Sequence, residues 1–393
     1  MKKTLEQERQ WAVQRYREGQ SPESICISLG RTRPWLYKWL DRYDPSNTDW
    51  YRNKSRCPLT SPQRTAREIE EIVKLTRLSL YNQDLFCGAQ AILWELEEQG
   101  IQPLPSLRTI NRILSRNDLT RRRTGRYEPK GARYPNLPAK VPNFRHQADF
   151  VGPRHLRGKA DPLRFYSMNV VDLNTGRCGT QPLFSRSGNA VYEAFWAIWN
   201  RLGVPRHLQV DNEMVFYGSP TYPRGMGPLI RLCLHYGIEL WFIPQSEPWR
   251  NGVIEQFNNH YQQKFLDRVP MQTANELSAG ALAFEQKHNS RYRYSKLNGK
   301  TPLEVLSRSG KKPLRFPPSQ AAPETPLKKP ESGYYHLIRF IRSECKLDIF
   351  GERFRVSPDL QYEYVVATID VKEQKLKLIH DQLQVDEFDY KLR

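Results

Sequence analysis

Three short segments, far apart in the chain, each carry a carboxylate where a strand or helix would present it to one shared site. The segments are Gln147–Phe150, Gln209–Asn212 and Asn251–Glu255. Three carboxylates that converge in a cleft cannot all stay ionised cheaply unless a positive charge lies between them. Hard divalent cations with oxygen ligands are the economical partner, and paired ions of this kind break and join phosphodiesters.

The elements around these carboxylates predict how they meet. Asp149 falls in a predicted strand, Asp211 follows the apolar end of another, and Glu255 falls in the first turn of a helix. The carboxyl ends of strands in an open α/β sheet are where ligands gather. If the two strands are neighbours, the aspartates share one metal ion and Glu255 ligates a second. Two Mg²⁺ ions (or Mn²⁺) roughly 3.5–4 Å apart would activate a water or 3′-hydroxyl and stabilise the leaving oxygen.

The composition indicates a polyanionic partner. The 393 residues include 61 Lys and Arg against 42 Asp and Glu, a formal net charge of +19. Double-stranded DNA is the first expectation for the partner and an anionic membrane surface the second. No apolar run reaches membrane-spanning length, and the N-terminus lacks an apolar signal core. We therefore expect a soluble, cytoplasmic protein that associates with DNA and has no membrane partner.

The cysteine pattern and the length bound the architecture. Six widely scattered cysteines argue against a zinc site or a disulfide framework. The length predicts about two to four domains. We therefore predict a multidomain protein.

Residues 1–50 are predicted to form a helix-turn-helix domain. Gly19 ends a first helix, Ser21-Pro22 begins a second, and Gly30 stops it before a third, as caps and breakers predict. The side chains predicted to face DNA are Arg31, Arg33, Tyr37, Lys38 and Arg42. The alternative is an ordinary three-helix bundle with a solvated basic face.

Residues 58–118 are predicted to form a second helix-turn-helix domain, and residues 119–143 a basic linker. Residues 101–140 hold ten Lys and Arg against two Asp and Glu, which favours an extended segment along a phosphate backbone. The alternative is a solvated tether. The predicted DNA contacts in these two regions are Arg108, Arg112, Arg116, Arg121, Arg122 and Arg123.

Residues 144–308 are predicted to form a central α/β core. Three strands in a meander, followed by alternating helices and strands, indicate a mixed sheet with helices on its faces. Residues 309–332 are rich in Pro and Lys and predict a linker. The short alternating runs of residues 333–393 predict a small β-barrel. Its ten basic and eleven acidic residues give no reason to expect strong DNA binding.

With these motifs in place, the chain resembles the DDE transposases and integrases of the bacterial insertion-sequence type, whose core has the ribonuclease-H-like fold shared with retroviral integrases. The matching segments are Gln147–Phe150, Val210–Asn212, Ile243–Gln245, Pro248–Asn258 and Gly299–Pro302. The helix-turn-helix region and the terminal barrel also match the usual architecture, so most of the chain is covered. The resemblance implies that Asp149, Asp211 and Glu255 are the catalytic metal ligands.

Two departures from the family pattern concern the carboxylates. Glu213 stands where relatives commonly have glycine; it is either a spare solvated carboxylate, which we favour, or a residue that touches the site. A shorter spacing, common in relatives, would nominate Glu247 as the third ligand. Pro248 directly follows it and favours an extended loop there. We therefore choose Glu255, with the loop Tyr217–Gly227 taking up the extra length.

Further contacts with DNA are predicted near Glu255. Arg250 and Trp249 could clamp or stack on a strand end. On the helix face, the candidates are Asn258, Asn259, Gln262 and Lys264. For each of these residues the alternative is ordinary helix surface or core packing. His146 is interpreted as structural, because a metal-activated nucleophile needs no histidine base.

These features together predict a Mg²⁺-dependent transposase that cleaves at element 3′ ends and joins them to target DNA. A homo-oligomer on DNA is expected because two ends must be brought together, and an accessory ATPase is a possible partner. One alternative is a ribonuclease-H-like nuclease or Holliday-junction resolvase, which the helix-turn-helix pair disfavours. The other is an inactive DNA-binding regulator, which the intact triad disfavours.

Overall fold

The computed structural model describes residues 4–53, 65–120, 134–135, 139, 141–156, 163–218, 224–313 and 327–393. The chain divides into two compact units, Met1–Thr65 and Ala66–Arg393. Within the described ranges, no helix is long and apolar enough to cross a membrane.

The first unit is a three-helix domain. Its helices are α1 (Leu5–Arg17), α2 (Pro22–Leu29) and α3 (Arg33–Asp41). Thr4 and Gln7 form a capping box at the start of α1, and Gly30 ends α2 in the left-handed conformation at φ 63°, which glycine adopts without a steric penalty. Leu36 of α3 is fully buried within a small apolar core.

The second unit begins with another three-helix group. Its helices are α4 (Arg67–Asn82), α5 (Ala89–Glu98) and α6 (Leu107–Arg116). Ile110 and Ile113 of α6 are fully buried against Ile92 of α5 and Val73 of α4. Ser106 caps α6 by accepting a hydrogen bond from the backbone N–H of Thr109 at 3.2 Å.

A mixed sheet follows, and its described strands run in the order β11-β10-β9-β6-β5-β4-β1-β2-β3. Strands β1 to β3 pair antiparallel, whereas β4 pairs parallel with β1 and β5 with β4. The predicted α/β core with a mixed sheet is confirmed. The bounds are β1 (Arg145–His155), β2 (Arg164–Asp172), β3 (Cys178–Leu183), β4 (His207–Val210), β5 (Glu239–Phe242), β6 (Tyr334–Phe340), β7 (Lys346–Ile349), β8 (Glu352–Arg355), β9 (Tyr364–Asp370), β10 (Lys375–His380) and β11 (Leu383–Asp389).

Helices pack on both faces of this sheet. Helices α7 and α9 contact one set of strands, and α10 and α11 contact β1, β2 and β3. Because successive side chains of a strand point to opposite faces, Ala148 joins the apolar cluster around α7 whereas Val151 joins the cluster around α10. The bounds are α7 (Gly188–Leu202), α8 (Met214–Tyr217), α9 (Pro228–His235), α10 (Gly252–Tyr261), α11 (Ala274–Arg291) and α12 (Pro302–Arg308).

The small β-barrel predicted for residues 333–393 is not confirmed and is corrected here. Strand β6 pairs parallel with the core strand β5, matching Leu240 with Tyr335, and β9, β10 and β11 continue the sheet antiparallel. Among the described residues no closed barrel forms. The physical reason is burial: Tyr335 and Leu337 are at most 1% exposed in the same apolar cluster as Leu240, so the segment completes the core sheet.

Candidate active site

Two neighbouring parallel strands carry the first two carboxylates. Gln147 of β1 lies opposite Gln209 of β4 in the pairing register. Asp149 and Asp211 each follow two residues later, so a strand's two-residue period puts each aspartate on the face of its own glutamine. That face of β1 is the one on which α10 packs.

Helix α10 brings the third carboxylate, since Glu255 lies in its first turn. The same helix contacts Asp149 one turn later, where Asn258 donates a hydrogen bond from Nδ2 to Asp149 Oδ2 at 2.8 Å. Asn169 of β2 in turn donates to Asn258 Oδ1 at 2.8 Å. The two asparagines therefore fix how the Asp149 carboxylate faces Glu255.

The electrostatics show that Asp149 lies close enough to the other two carboxylates to be affected by their charges. Burial, and then the charges of Asp211 and Glu255, raise the pKa of Asp149 from 3.8 to about 7. Burial also raises the pKa of Asp211 to about 6, against the opposing effect of Arg186. Desolvation and like charge both disfavour the ionised form, so the site repels additional negative charge and favours a cation.

In the described part of the chain, no Lys or Arg forms an ion pair with Asp149, Asp211 or Glu255. The nearest cation, Arg186, is instead paired with Glu213 and lies over the Phe150 ring at 4.7 Å. Glu213 is therefore not the spare solvated carboxylate that the sequence suggested, because its charge is held by Arg186 at the rim of the site. Within the described residues, the three carboxylates therefore have no fixed cationic side chain as an ion-pair partner.

The residues present fit hard divalent cations if the three carboxylates are divided between two ions. Over the described ranges, no three His, Cys, Asp or Glu side chains are grouped so as to hold a single metal ion. Mg²⁺ commonly takes only one or two protein carboxylates, and waters and substrate phosphates complete its octahedron. Three carboxylates divided between two Mg²⁺ ions give each ion one or two protein ligands, as Mg²⁺ prefers.

Glu247, the rejected alternative, points into a different network. Its carboxylate accepts hydrogen bonds from Arg250 Nε at 2.9 Å and from the Tyr364 hydroxyl at 2.7 Å. The Arg250 guanidinium lies 3.7 Å from the centroid of the Tyr134 ring. The sequence predicts Arg250 to be a DNA clamp, but its guanidinium instead contacts Glu247 and Tyr134 within the protein.

Of the DNA contacts predicted in and just after α10, one side chain is exposed and another contacts a neighbouring part of the protein. Asn259 is exposed, whereas Lys264 donates to the Leu85 carbonyl at 3.3 Å and lies against the Tyr81 ring. Lys264 therefore packs α4 and the loop after it against the core, and it is only partly exposed. His146 is fully buried, and burial lowers its pKa to about 4, in keeping with the structural role predicted for it.

The helix-turn-helix candidates also divide by exposure. Arg33, Tyr37 and Lys38 are exposed on α3, although Arg33 forms a surface ion pair with Glu23 at 3.3 Å and Lys38 lies 5.9 Å from the centroid of the Trp39 ring. Arg31 and Arg42 are less exposed: Arg31 pairs with Glu8 at 2.6 Å and Arg42 lies over the Trp39 ring. On α6 all three predicted arginines are exposed, namely Arg108, Arg112 and Arg116, and Arg116 also pairs with Glu70 at 3.0 Å. Arg121, Arg122 and Arg123 lie outside the described residues.

A buried arginine from the C-terminal strands holds the residue next to the second carboxylate, and no local pattern in the sequence predicts it. Arg339 of β6 donates from Nη2 to Asn212 Oδ1 at 2.9 Å and from Nη1 to the Ile243 carbonyl at 3.2 Å. Asn212 donates to the same carbonyl at 2.6 Å. Burial lowers the pKa of Arg339 to about 10. The residue next to Asp211 is therefore tied to the ends of β5 and β6.

Two segments of the chain match models of known protein families. Residues 3–47 match the model of a homeodomain-like domain, and residues 236–302 match the model of an integrase core domain. This part of the chain is similar to an integrase core domain. The matched segment includes β5, α10 with Glu255, and α11. The predicted resemblance to DDE transposases and integrases is thereby confirmed.

Solved integrase structures are similar to this integrase-core chain at low scores. The HTLV-2 integrase catalytic core domain in complex with magnesium (trimeric form) is 19% identical, over 42% of this chain and 97% of that chain, with a TM-score of 0.31. The simian T-cell lymphotropic virus intasome in complex with PP2A regulatory subunit B56 gamma is 16% identical, over 82% of this chain and 97% of that chain, with a TM-score of 0.35. These superpositions are loose, and the integrase-core assignment depends on the match over residues 236–302.

Proposed function

We propose that this integrase-core protein is a DNA transposase that cleaves at the 3′ ends of a mobile element and joins those ends to target DNA. The observation that carries the proposal is the approach of Asp149, Asp211 and Glu255 from two parallel strands and a helix, where burial and the charges of Asp211 and Glu255 raise the pKa of Asp149. A basic chain with a homeodomain-like unit supplies the means to hold DNA beside them.

Asp149 and Asp211 would hold one Mg²⁺ ion and Glu255 a second, and bound ions of this kind supply charge to an attacking hydroxyl and a leaving oxygen. The chain's own residues orient the ligands. Asn258 fixes one oxygen of Asp149, and the Phe150 N–H donates to the other at 2.8 Å. The Glu213 N–H does the same for Asp211 Oδ1 at 3.1 Å. No side chain is needed as a covalent nucleophile. Water would first break the phosphodiester at the element end, leaving a 3′-hydroxyl on the element and a 5′-phosphate on the flanking DNA. That 3′-hydroxyl would then attack a target phosphodiester and displace the 3′-oxygen of the target strand.

DNA is the proposed partner, and a homo-oligomer on DNA is the proposed assembly because two element ends take part in one joining event. An accessory ATPase stays a prediction. Recognition of the ends is assigned to the homeodomain-like unit, where α3 presents Arg33, Tyr37 and Lys38 outward.

The test of the function is a joining reaction. Inverted-repeat DNA taken from the flanks of the gene is incubated with full-length protein, a target plasmid and Mg²⁺. We expect covalently joined products that disappear when EDTA is added. Cleavage of branched or RNA-containing DNA without joining would support the nuclease, and binding without any Mg²⁺-dependent product would support the inactive regulator. Either result overturns the proposal.

Exposed basic residues of α3 are expected to contact DNA, whereas an exposed arginine of α1 is not. Arg33→Ala and Lys38→Ala should each weaken end binding and reduce the slope of log affinity against log salt by about 1, because each removes one phosphate contact. Fluorescence anisotropy over a range of salt concentrations measures both quantities. Arg15→Ala on α1, an arginine 49% exposed, is the matched control and should leave the slope unchanged. Equal slopes in all three variants would show that α3 does not contact the backbone.

A further inference from the structure

Two buried glutamines precede the two aspartates in the same way. Gln147 and Gln209 are 4% and 1% exposed and lie directly opposite each other on neighbouring parallel strands. Each stands two residues before an aspartate of the candidate site. The pattern Gln-x-Asp therefore occurs twice, at matched positions in the sheet.

Both glutamines reach the start of α10. Their Nε2 atoms donate to the same acceptor, the Arg250 carbonyl, at 3.2 Å from Gln147 and 2.9 Å from Gln209. Gln209 Nε2 also donates to Asn251 Oδ1 at 2.6 Å. The strands that carry Asp149 and Asp211 thus hold the backbone just before the helix that carries Glu255.

Gln147 also caps that helix. The first backbone N–H groups of a helix have no partner within it, and Asn251 at the N-cap position of α10 makes no side-chain cap. Gln147 Oε1 accepts from the Ile254 N–H at 3.1 Å, one residue before Glu255. The amide therefore fixes the first turn of α10 in both position and rotation.

Packing alone would not set this position so closely. Phe257 and Tyr261 bury α10 in the apolar cluster on that face of the sheet, so the helix keeps its place on the sheet without the amides. Apolar contacts are non-directional, whereas hydrogen bonds have narrow distance and angle ranges. The amides are the contacts that fix the first turn relative to the strand ends.

We propose that Gln147 and Gln209 are positioning residues, which set the distance from Glu255 to the Asp149–Asp211 pair and thereby the affinity of the site for divalent cations. The inference rests on the proposed function, because it assumes that these carboxylates hold metal. Neither glutamine touches the reacting atoms.

The test uses full-length Gln147→Met and Gln209→Met, which keep side-chain length and remove the amide. Mg²⁺ and Mn²⁺ are titrated without DNA, and binding is followed by calorimetry and by the rise in melting temperature; the metal dependence of joining is measured alongside. We expect each variant to need about 10 to 100 times more metal for half-saturation, as for other residues that orient metal ligands, and joining to recover in part at high Mn²⁺. Gln147→Glu, which keeps the acceptor for the Ile254 N–H, should recover more of the metal affinity than Gln147→Met and serves if Gln147→Met does not fold.

The matched control is Thr180→Val. Thr180 is 2% exposed on β3 and its hydroxyl donates to the Ala281 carbonyl of α11 at 3.2 Å, a similar strand-to-helix contact outside the site. It should lower stability without moving the metal midpoint. Midpoints within twofold of wild type in both Met variants, or an equal shift in Thr180→Val, would overturn the positioning role. A wild-type protein that binds no metal would instead overturn the proposed function.

Discussion

Replacement of Asp149 by Asn is expected to lower DNA joining by about 1000-fold or more, as loss of a charged group at a phosphoryl-transfer centre does. Glu255→Gln should lower it to a similar extent. The side chains keep their size, so end binding by the homeodomain-like unit should remain within about twofold of wild type. Initial rates of joining at saturating Mg²⁺ measure the loss.

The same substitution should stabilise the metal-free protein at pH 8. The pKa of Asp149 is raised from 3.8 to about 7, so its ionised form is disfavoured in the folded state. Stability is then present at low pH and is lost as the pH rises through 7. Asn carries no charge and escapes that loss, so the free energy of unfolding in EDTA should rise by about 2 kcal/mol at pH 8 and hardly change at pH 4.

Glu247→Gln is the control for both measurements, because Glu247 is the other carboxylate that the sequence offered. Its bonds run to Arg250 and Tyr364, so joining should stay within about tenfold of wild type while stability falls. Joining that survives Asp149→Asn or Glu255→Gln would contradict the assignment. An equal loss in Glu247→Gln would mean that the third ligand is misidentified.

Removal of residues 309–393 should prevent the core from folding cooperatively. The deletion unpairs β5 along Leu240–Phe242 and removes Tyr335, Leu337 and several further side chains from the main apolar cluster. An unpaired apolar strand at a sheet edge also invites aggregation. We expect insoluble protein, or soluble protein without a single sharp melting transition.

A pair of point variants tests the same prediction without deletion. Leu337→Ala, at a fully buried position, should lower the free energy of unfolding by about 2–5 kcal/mol. Leu383→Ala, at a side chain 70% exposed on β11, should change it by less than about 0.5 kcal/mol. If the truncated core melts within a few degrees of the full chain, the C-terminal strands are a separate domain and not part of the core.

The carboxylates could be chosen from sequence because their signals are local. An apolar run before Asp211 marks a strand end, and Pro248 beside Glu247 marks a loop, so neither choice needs distant information. The pairing of β5 with β6 has no such signal, because about a hundred residues separate the strands and either would suit many partners. Local alternation therefore suggested a barrel where the chain extends an existing sheet.

The charge of a side chain was the least reliable predictor of a DNA contact. Arg250 and Lys264 were chosen as DNA contacts because they are basic and close to Glu255, yet one stacks on Tyr134 and the other donates to the Leu85 carbonyl. A sequence shows the charge of a side chain but not the internal acceptor that takes it. The two glutamines show the opposite case, since their repetition before each aspartate was visible and its meaning required the register of the sheet.

The hydrogen bond from Arg339 to Asn212 spans 127 residues, and this spacing has a consequence for protein synthesis. The ribosome releases Asp149, Asp211 and Glu255 well before β6 emerges, so a growing chain displays all three carboxylates while the brace beside the second is still missing. A partly made polypeptide that ends before β6 therefore lacks the contact that ties Asn212 to the ends of β5 and β6.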